Sequence, residues 1–296
     1  MTRLESYSSL ATGASCWEKY RLAYVERLEA PGLNLAMHNG SAMHAAMRSL
    51  YHGGFSAAKL PQAIEALAAE WGDTKPPLGD KKAHLTREFA TKRLEMYVAE
   101  REASPTILET GEALTGFVEE MHVFEWSVSG HLVTLRGIPD LVVTHEGHRY
   151  VVDHKFPTSE WITDHYWMRF GLGFQLRIYA ALVEQVAGLK IDGGLINAVS
   201  CNAKACDPPE AWKKRKSSPS GIKTISFTRE QIEDAHEWIR GNLLLRDACE
   251  SANLWPRNEH ACGEFNGCEF IPLCSAPTPM ARRARMMTNF RRKEER

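Results

Sequence analysis

The sequence of 296 residues predicts an α+β fold, in which a mixed central β-sheet is flanked by helices and preceded by a helical N-terminal region. Three observations support this prediction. The first hundred residues show helical patterns that end at Gly or Pro signals. Residues 116–143 alternate in polarity and are rich in Val, Phe and Trp, which is typical of strands. Helical and strand-like segments then follow one another toward the C-terminus.

The individual elements follow from these patterns. Predicted helices cover residues 7–30, 36–54, 61–71, 80–102, 174–188 and 229–250. Predicted strands lie within residues 116–143, in the two apolar runs of residues 137–156, at 193–202 and at 222–228, with hairpin turn signals at 129–130 and 146–147. The polar segment 204–221, which contains Pro, Ser and basic residues, is predicted to be a loop.

We divide the chain into one domain, residues 1–278, and a basic tail, residues 279–296. Within the domain, residues 1–105 are a helical region, residues 106–228 the core with the sheet, and residues 229–278 a helix followed by a cysteine-containing segment. The composition is that of an ordinary globular protein, with 44% hydrophobic and 25% charged residues.

The overall charge and the termini narrow the class of protein. The formal net charge of −1 excludes a strong global attraction to nucleic acid, although local basic patches can still bind it. The N-terminus has no apolar signal-peptide core, and no stretch of 18 apolar residues suggests a membrane span. Seven cysteines in a chain of this kind are better interpreted as thiols or metal ligands than as disulfides. We expect a cytoplasmic protein.

Two carboxylates and an ammonium lie in stretches that otherwise resemble buried strands. Asp140 precedes the apolar run "LVV", and Asp153 ends "YVVD", with Lys155 two residues later. Because side chains alternate along a strand, Asp153 and Lys155 share a face, and a hairpin at 146–147 would bring Asp140 beside them. Two close carboxylates repel each other unless a cation such as Mg²⁺ or Mn²⁺ lies between them. A surface ion pair between Asp153 and Lys155 is the alternative.

This pattern resembles the PD-(D/E)XK nuclease superfamily, because Pro139–Asp140 is followed by "DHK" at 153–155 and by "QLRIY" at 175–179. Gln175 and Tyr179 lie on one helix face and match the Q-x-x-x-Y element of the RecB-type branch. "GSAMH", residues 40–44, matches the helix that carries a metal-binding His in that branch, so the resemblance implies His44 as a ligand. A helix-surface histidine is the alternative.

The resemblance implies a restriction-endonuclease-like core and a set of site residues. It makes Asp140, Asp153, Lys155, Gln175 and Tyr179 the catalytic residues. It assigns the metal to His44, Asp140, Asp153 and His154, the last through its backbone carbonyl only. Glu119 or Glu120 matches an accessory glutamate of the branch.

The cysteines resemble those of the iron–sulfur members of this branch, which include CRISPR-associated adaptation nucleases, AddB-type subunits and phage exonucleases. In those proteins one N-terminal cysteine and a C-terminal trio bind a [4Fe–4S] cluster. The corresponding residues here are Cys16, Cys262, Cys268 and Cys274. The first gap of the trio is five residues here, whereas the family often has two. A zinc site with four cysteines and a set of free thiols are the alternatives.

The implied substrate is DNA, and three functions are weighed. The first is a metal-dependent exonuclease that acts on DNA ends or single strands, in recombination, repair or phage DNA processing. The second is an endonuclease or CRISPR-type adaptation factor that works with a partner protein. The third is a non-catalytic DNA-binding assembly protein. Residues 212–216, with Trp212 as a stacking residue, and the basic tail are candidate DNA contacts. No helicase P-loop is present in the sequence.

Overall fold

A computed structural model of the protein describes residues 4–30, 32–77, 79–118, 121–128, 131–158, 161–171, 173–214 and 217–293. The helices within these residues are α1 (Tyr7–Ser15), α2 (Trp17–Tyr20), α3 (Leu35–Tyr51), α4 (Leu60–Trp71), α5 (Arg87–Ala103), α6 (Ile107–Thr110), α7 (Asp164–Gly171), α8 (Gln175–Ala187), α9 (Pro209–Lys214), α10 (Arg229–Ala252), α11 (Ile271–Cys274) and α12 (Pro279–Asn289). The strands are β1 (Leu4–Ser6), β2 (Leu28–Glu29), β3 (Glu112–Ala113), β4 (His122–Val128), β5 (His131–Gly137), β6 (Leu141–His145), β7 (His148–Lys155), β8 (Gly193–Val199), β9 (Ser220–Ser226) and β10 (Arg291–Arg292).

The chain divides into two compact units. The larger unit comprises residues Leu33–His122 and Gly137–Glu233. The smaller unit comprises residues Met1–Gly32, Val123–Arg136 and Asp234–Arg296. No helix within the described ranges is long and apolar enough to cross a membrane.

The larger unit contains a mixed sheet of five strands in the order β3-β6-β7-β8-β9. Strands β6 and β7 are antiparallel and form the predicted hairpin, with Glu146 and Gly147 at its turn. Both turn residues have a positive φ (50° and 80°), the conformation that two-residue hairpin turns of type I′ require. Strand β8 runs parallel to β7, and β9 is antiparallel to β8. The predicted mixed sheet with flanking helices is therefore confirmed.

Alternating side chains of the central strands pack on two different helical layers. Val143, Val152 and Leu195 belong to a core shared with helices α3, α4 and α5. Val142, Val151 and Ile196 belong to a second core, shared with α8. The sheet is buried on both faces, which explains why β6 and β8 consist largely of apolar residues. By the same alternation, Asp153 and Lys155 lie on the α8 face, and His154 lies on the face toward α3 and α5.

The smaller unit contains a three-stranded sheet in the order β1-β5-β4 and the antiparallel pair β2-β10. Its interior holds a polar group, in which Glu5 accepts hydrogen bonds from Tyr20 (2.6 Å), Ser9 (2.6 Å) and Arg246 (2.9 Å). The carboxylate of Glu5, almost completely buried, thus has both oxygens satisfied.

Several predicted elements differ from the structure. The helix predicted at 7–30 is broken at Cys16, whose backbone is extended (φ −162°, ψ 113°), and it continues as α2 and a π-helical turn at Arg21–Val25. The helix predicted to begin at residue 80 begins at Arg87, because the side chain of Thr86 caps it there. The loop predicted at 204–221 contains the short helix α9. The hairpin turn predicted at 129–130 lies outside the described residues.

Candidate active site

Two buried carboxylates meet where strands β6 and β7 lie side by side. Leu141 pairs with Val152, so Asp140, the residue before β6, is placed opposite Asp153. The two residues are only 7% and 3% exposed. The backbone N–H of His154 donates a hydrogen bond to Asp140 Oδ2, which fixes this carboxylate against β7. The hairpin thus brings together the two aspartates that the sequence predicts to share a site.

Lys155 and Gln175 complete a hydrogen-bonded group around Asp153. The ammonium of Lys155 lies 2.6 Å from Asp153 Oδ2 and donates a hydrogen bond to Gln175 Oε1 at 3.0 Å. The amide nitrogen of Gln175 is 3.4 Å from Asp153 Oδ1 and 3.3 Å from the hydroxyl of Tyr179. Gln175 and Tyr179 therefore lie one turn apart on α8, and Gln175 contacts Asp153 and Lys155 of β7.

His44 approaches the carboxylate of Asp140 from α3. Its Nδ1 atom lies 3.5 Å from Asp140 Oδ1, and its side chain is 32% exposed. The ring packs edge-on against Phe156, with ring centroids 5.0 Å apart. The structure therefore places His44 beside Asp140, at a partly solvent-accessible edge of the site.

The ring of His154 points away from the aspartates into the core. It is 2% exposed, and its Nδ1 atom lies 2.9 Å from the side-chain nitrogen of Asn197 on β8. Burial, together with the charges of His44 and Lys155, lowers the pKa of His154 to about 3, so the ring is neutral at pH 7. With the ring turned away, only the backbone of His154 lies beside Asp140 and Asp153.

The sequence did not predict a chain of buried hydrogen bonds that lies next to His154 of β7. The amide nitrogen of Asn197 donates to His154 Nδ1 and to the hydroxyl of Tyr97 (3.0 Å). The hydroxyl of Tyr51 donates to Glu109 Oε1 (2.6 Å), so the hydroxyl of Tyr97 donates to that of Tyr51, 2.6 Å away. These residues come from β8, α5, α3 and α6. The one indication in the sequence is Asn197, an amide residue within the otherwise apolar run "GGLINAV".

The donor set suits a hard divalent cation. Two carboxylates and a neighbouring backbone carbonyl offer the oxygen ligands that Mg²⁺ and Mn²⁺ prefer. Asp153 Oδ2 is buried and pairs with the ammonium of Lys155 at 2.6 Å, while Asp153 Oδ1 lies 3.4 Å from the amide nitrogen of Gln175. Among the described residues, no group of three or more His, Cys, Asp or Glu side chains is arranged to hold a metal. Glu119 and Glu120, the accessory candidates, lie outside them.

The four predicted cluster cysteines all belong to the smaller unit. Cys16 lies at the break between α1 and α2, and Cys262, Cys268 and Cys274 lie in and around the segment with α11. Burial raises the pKa of the Cys268 thiol, and the nearby thiols of Cys262 and Cys16 raise it further. Burial also raises the pKa of Cys274, with a smaller contribution from Cys268. The N-terminal cysteine and the C-terminal trio thus belong to the same unit, but the described His, Cys, Asp and Glu side chains form no group of three or more that could hold a metal ion.

Residues of the two candidate DNA-contacting segments, 212–216 and 279–296, contact other parts of the protein. Trp212, the predicted stacking residue, is wrongly assigned: it is only 3% exposed and packs edge-on against Trp161 at 5.0 Å. Residues 215–216 of the same basic run lie outside the described residues. Much of the predicted tail is helix α12, where Arg282 pairs with Glu18 and Arg285 donates to the carbonyl of Pro272 (2.7 Å).

Comparisons with known proteins agree with this fold. The sequence matches the family model of the PD-(D/E)XK nuclease superfamily over residues 5–275. A crystal structure from Eubacterium rectale, of a protein named "Putative exonuclease", superposes with a TM-score of 0.50 at 15% sequence identity, covering 86% of this chain and 85% of that chain. At this identity the likeness concerns the fold alone. The crystal structure of SSO0001 has a TM-score of only 0.33 at 13% identity, covering 85% of this chain and 89% of that chain, and supports no argument. No curated protein matches the sequence.

Proposed function

Because the chain belongs to the PD-(D/E)XK nuclease superfamily, we propose that it is a divalent-metal-dependent deoxyribonuclease that hydrolyses phosphodiester bonds at DNA ends or in single strands. One observation carries this proposal. Asp140 and Asp153 are paired at adjacent strand ends, and Lys155 and Gln175 are hydrogen-bonded beside them. A surface ion pair would not need two nearly buried carboxylates on strands packed from both sides.

Asp140, Asp153 and the backbone carbonyl of His154 are the residues that would hold Mg²⁺ or Mn²⁺, and His44 would join them from α3. When bound, such an ion stabilises negative charge on the phosphate and favours attack by water. The residues of the chain keep the carboxylates in place. The N–H of His154 orients Asp140, and Gln175 and Lys155 orient Asp153.

Lys155 supplies the positive charge that faces the phosphate. In hydrolysis, a water oxygen forms a bond to phosphorus and loses a proton, the bond from phosphorus to the leaving deoxyribose oxygen breaks, and that oxygen gains a proton. The ammonium of Lys155, held by Asp153 and Gln175, is placed to orient the water or to stabilise charge on the phosphate. Gln175 and Tyr179 act by positioning Lys155 and Asp153.

The Q-x-x-x-Y pair on α8 supports the RecB-type branch, and the exonuclease function is proposed on that resemblance. The chain would then be a cytoplasmic protein acting in recombination, repair or phage DNA processing. The second candidate is an endonuclease or adaptation factor that needs a recombination or adaptation protein as partner. A non-catalytic assembly protein is the third, and the hydrogen-bonded Asp153–Lys155–Gln175 group argues against it.

We further propose that Cys16, Cys262, Cys268 and Cys274 bind a structural [4Fe–4S] cluster, and that residues 1–278 form one functional nuclease domain. The presence of all four cysteines in the smaller unit supports the proposal, because four thiolates are the ligand set of such a cluster. A zinc ion bound by the same thiols is the alternative. The cysteines share no residue with the proposed catalytic site, so either metal leaves the nuclease proposal intact.

An assay with linear and circular DNA tests the function. The purified protein is incubated with end-labelled linear DNA, single- and double-stranded, and with a covalently closed circle, in Mg²⁺, Mn²⁺ or a chelator. An exonuclease degrades the linear substrates in the presence of metal and leaves the circle intact. Cutting of the circle would replace the exonuclease proposal with the endonuclease, and no cleavage with either metal would contradict the nuclease proposal.

A further inference from the structure

The larger unit has a surface groove lined by basic residues, and its first lining residue on α3 is Ala45, next to His44 in the sequence. It lies between α3 and α4, has a volume of about 500 Å³ and is open to solvent. Ala45, Arg48 and Ser49 line it from α3, and Gln62 and Ala66 line it from α4. No acidic side chain is among the residues that line it. The proposed catalytic site and this groove therefore share helix α3 as a common wall.

The groove continues the helix face that carries His44. Residues four apart lie on the same side of a helix, so Arg48 follows His44 on that face. With a rise of 1.5 Å per residue, Arg48 lies about 6 Å further along the helix axis than His44. Arg48 is exposed and is one of the residues that line the groove.

Lys59 places a second positive charge at the far end of the groove. Its ammonium donates hydrogen bonds to the backbone carbonyls of His52 and Gly54, each at 2.6 Å. An ammonium has three hydrogens, and these carbonyls use two of them. Since carbonyls do not neutralise its charge, Lys59 is a fixed cation at the groove rather than a mobile surface lysine.

We infer that this groove binds the phosphate backbone of the nucleic-acid strand on one side of the bond that is cut. The inference rests on the proposed nuclease function. A strand bound at His44 and Asp140 must leave the site in some direction, and the groove offers an open path with positive charge along it. Ala45 and Ala66, two of the lining residues, have small apolar side chains that cannot form hydrogen bonds with base edges. Phosphate contacts of this kind give affinity without sequence preference.

The test compares two groove variants with a matched control. Arg48→Gln removes a charge, and Gln62→Glu adds an opposite charge to an exposed position of the groove. The control is Arg87→Gln, which makes the same charge change at an exposed arginine of α5 that does not line the groove. Lys59 is not the first choice, because its loss would also uncap the end of α3.

Binding of a fluorescein-labelled single strand of oligothymidylate is measured by anisotropy over a range of salt concentrations, with chelator present so that no cleavage occurs. Loss of one phosphate contact should reduce the slope of log affinity against log salt by about 0.7 in Arg48→Gln. Gln62→Glu should weaken binding at low salt, and Arg87→Gln should match the wild type. An unchanged slope in Arg48→Gln, or an equal change in Arg87→Gln, would overturn the inference.

A parallel cleavage assay with Mn²⁺ separates this inference from the proposed function. If the wild type cleaves the strand but Arg48→Gln keeps the wild-type affinity and salt slope, the groove inference fails while the nuclease proposal stands. If the wild type cleaves nothing but the groove variants weaken binding as stated, the nuclease proposal fails and the groove remains a strand-binding site.

Discussion

Replacing Asn197 with alanine should destabilise the protein by about 2–3 kcal/mol and also reduce DNA cleavage. Asn197 is completely buried, and its amide nitrogen serves both His154 Nδ1 and the Tyr97 hydroxyl. Without it, His154 Nδ1 is a buried acceptor with no donor, which costs about 1–3 kcal/mol, and the lost bond to Tyr97 adds about 1 kcal/mol. The side-chain oxygen of Asn197 makes no hydrogen bond, and its removal offsets part of this cost.

The Tyr97→Phe substitution should destabilise the protein less, by about 1 kcal/mol. This variant leaves the bond between Asn197 and His154 intact, and Tyr51 keeps its bond to Glu109. Because the two residues share one hydrogen bond, the double variant should be less destabilised than the two single changes added together.

Urea denaturation of the single and double variants measures these free energies of unfolding. The exposed Gln185→Ala on α8 is the control and should remain within about 0.5 kcal/mol of the wild type. Cleavage should fall further in Asn197→Ala than in Tyr97→Phe, since His154 also orients Asp140. A stability of Asn197→Ala equal to that of the wild type would refute the view that the buried chain of hydrogen bonds supports the catalytic strand.

Three other predictions concern the site and the thiols. Gln175→Ala should lower the cleavage rate by about 10- to 100-fold, less than loss of a carboxylate, because Gln175 only positions Asp153 and Lys155; single-turnover kinetics measure this. Protein purified without oxygen should be brown and carry about four irons per chain. Cys16→Ala should lose both colour and thermal stability, whereas Cys249→Ala should keep its colour and iron, because Cys249 is a core residue beside Trp17 and Tyr20 and not a proposed ligand. Visible absorbance, metal analysis and thermal melts measure these effects, and colourless protein with stoichiometric zinc would overturn the cluster. Burial raises the pKa of the Cys201 thiol to about 11. Iodoacetamide at pH 8 should therefore leave Cys201 unmodified in the folded protein and modify it after unfolding, as measured by mass spectrometry. Modification at equal rates in the folded and unfolded states would contradict the burial of Cys201.

Strands β6 and β7 could be predicted from the sequence because their signals are local. Alternation along β7 places Asp153 and Lys155 on one face, and the turn at Glu146–Gly147 fixes their pairing with the strand after Asp140. The helical spacing of Gln175 and Tyr179 is likewise a local pattern. The mixed sheet and its flanking helices follow from the same periodicities.

The parts that were missed depend on contacts between distant segments. Asn197 and Tyr97 are one hundred residues apart, and no spacing rule connects them. Trp212 lies among lysines, which suggests an exposed loop, but packing against Trp161 buries it. The strands β2 and β10 have two residues each, too few for any alternating pattern, and exist because they pair with each other.

The DNA cleavage rate of Asp153→Ala tests whether Asp153 belongs to the active site. The wild type, Asp153→Ala and the control Asp73→Ala, an exposed aspartate after α4, are compared on end-labelled single-stranded DNA with saturating Mn²⁺. We expect Asp153→Ala to fold, as judged by circular dichroism, and to cleave DNA on the order of a thousandfold or more slower than the wild type. Asp73→Ala should cleave DNA at the wild-type rate. Cleavage by folded Asp153→Ala at the wild-type rate would contradict the assignment of the active site.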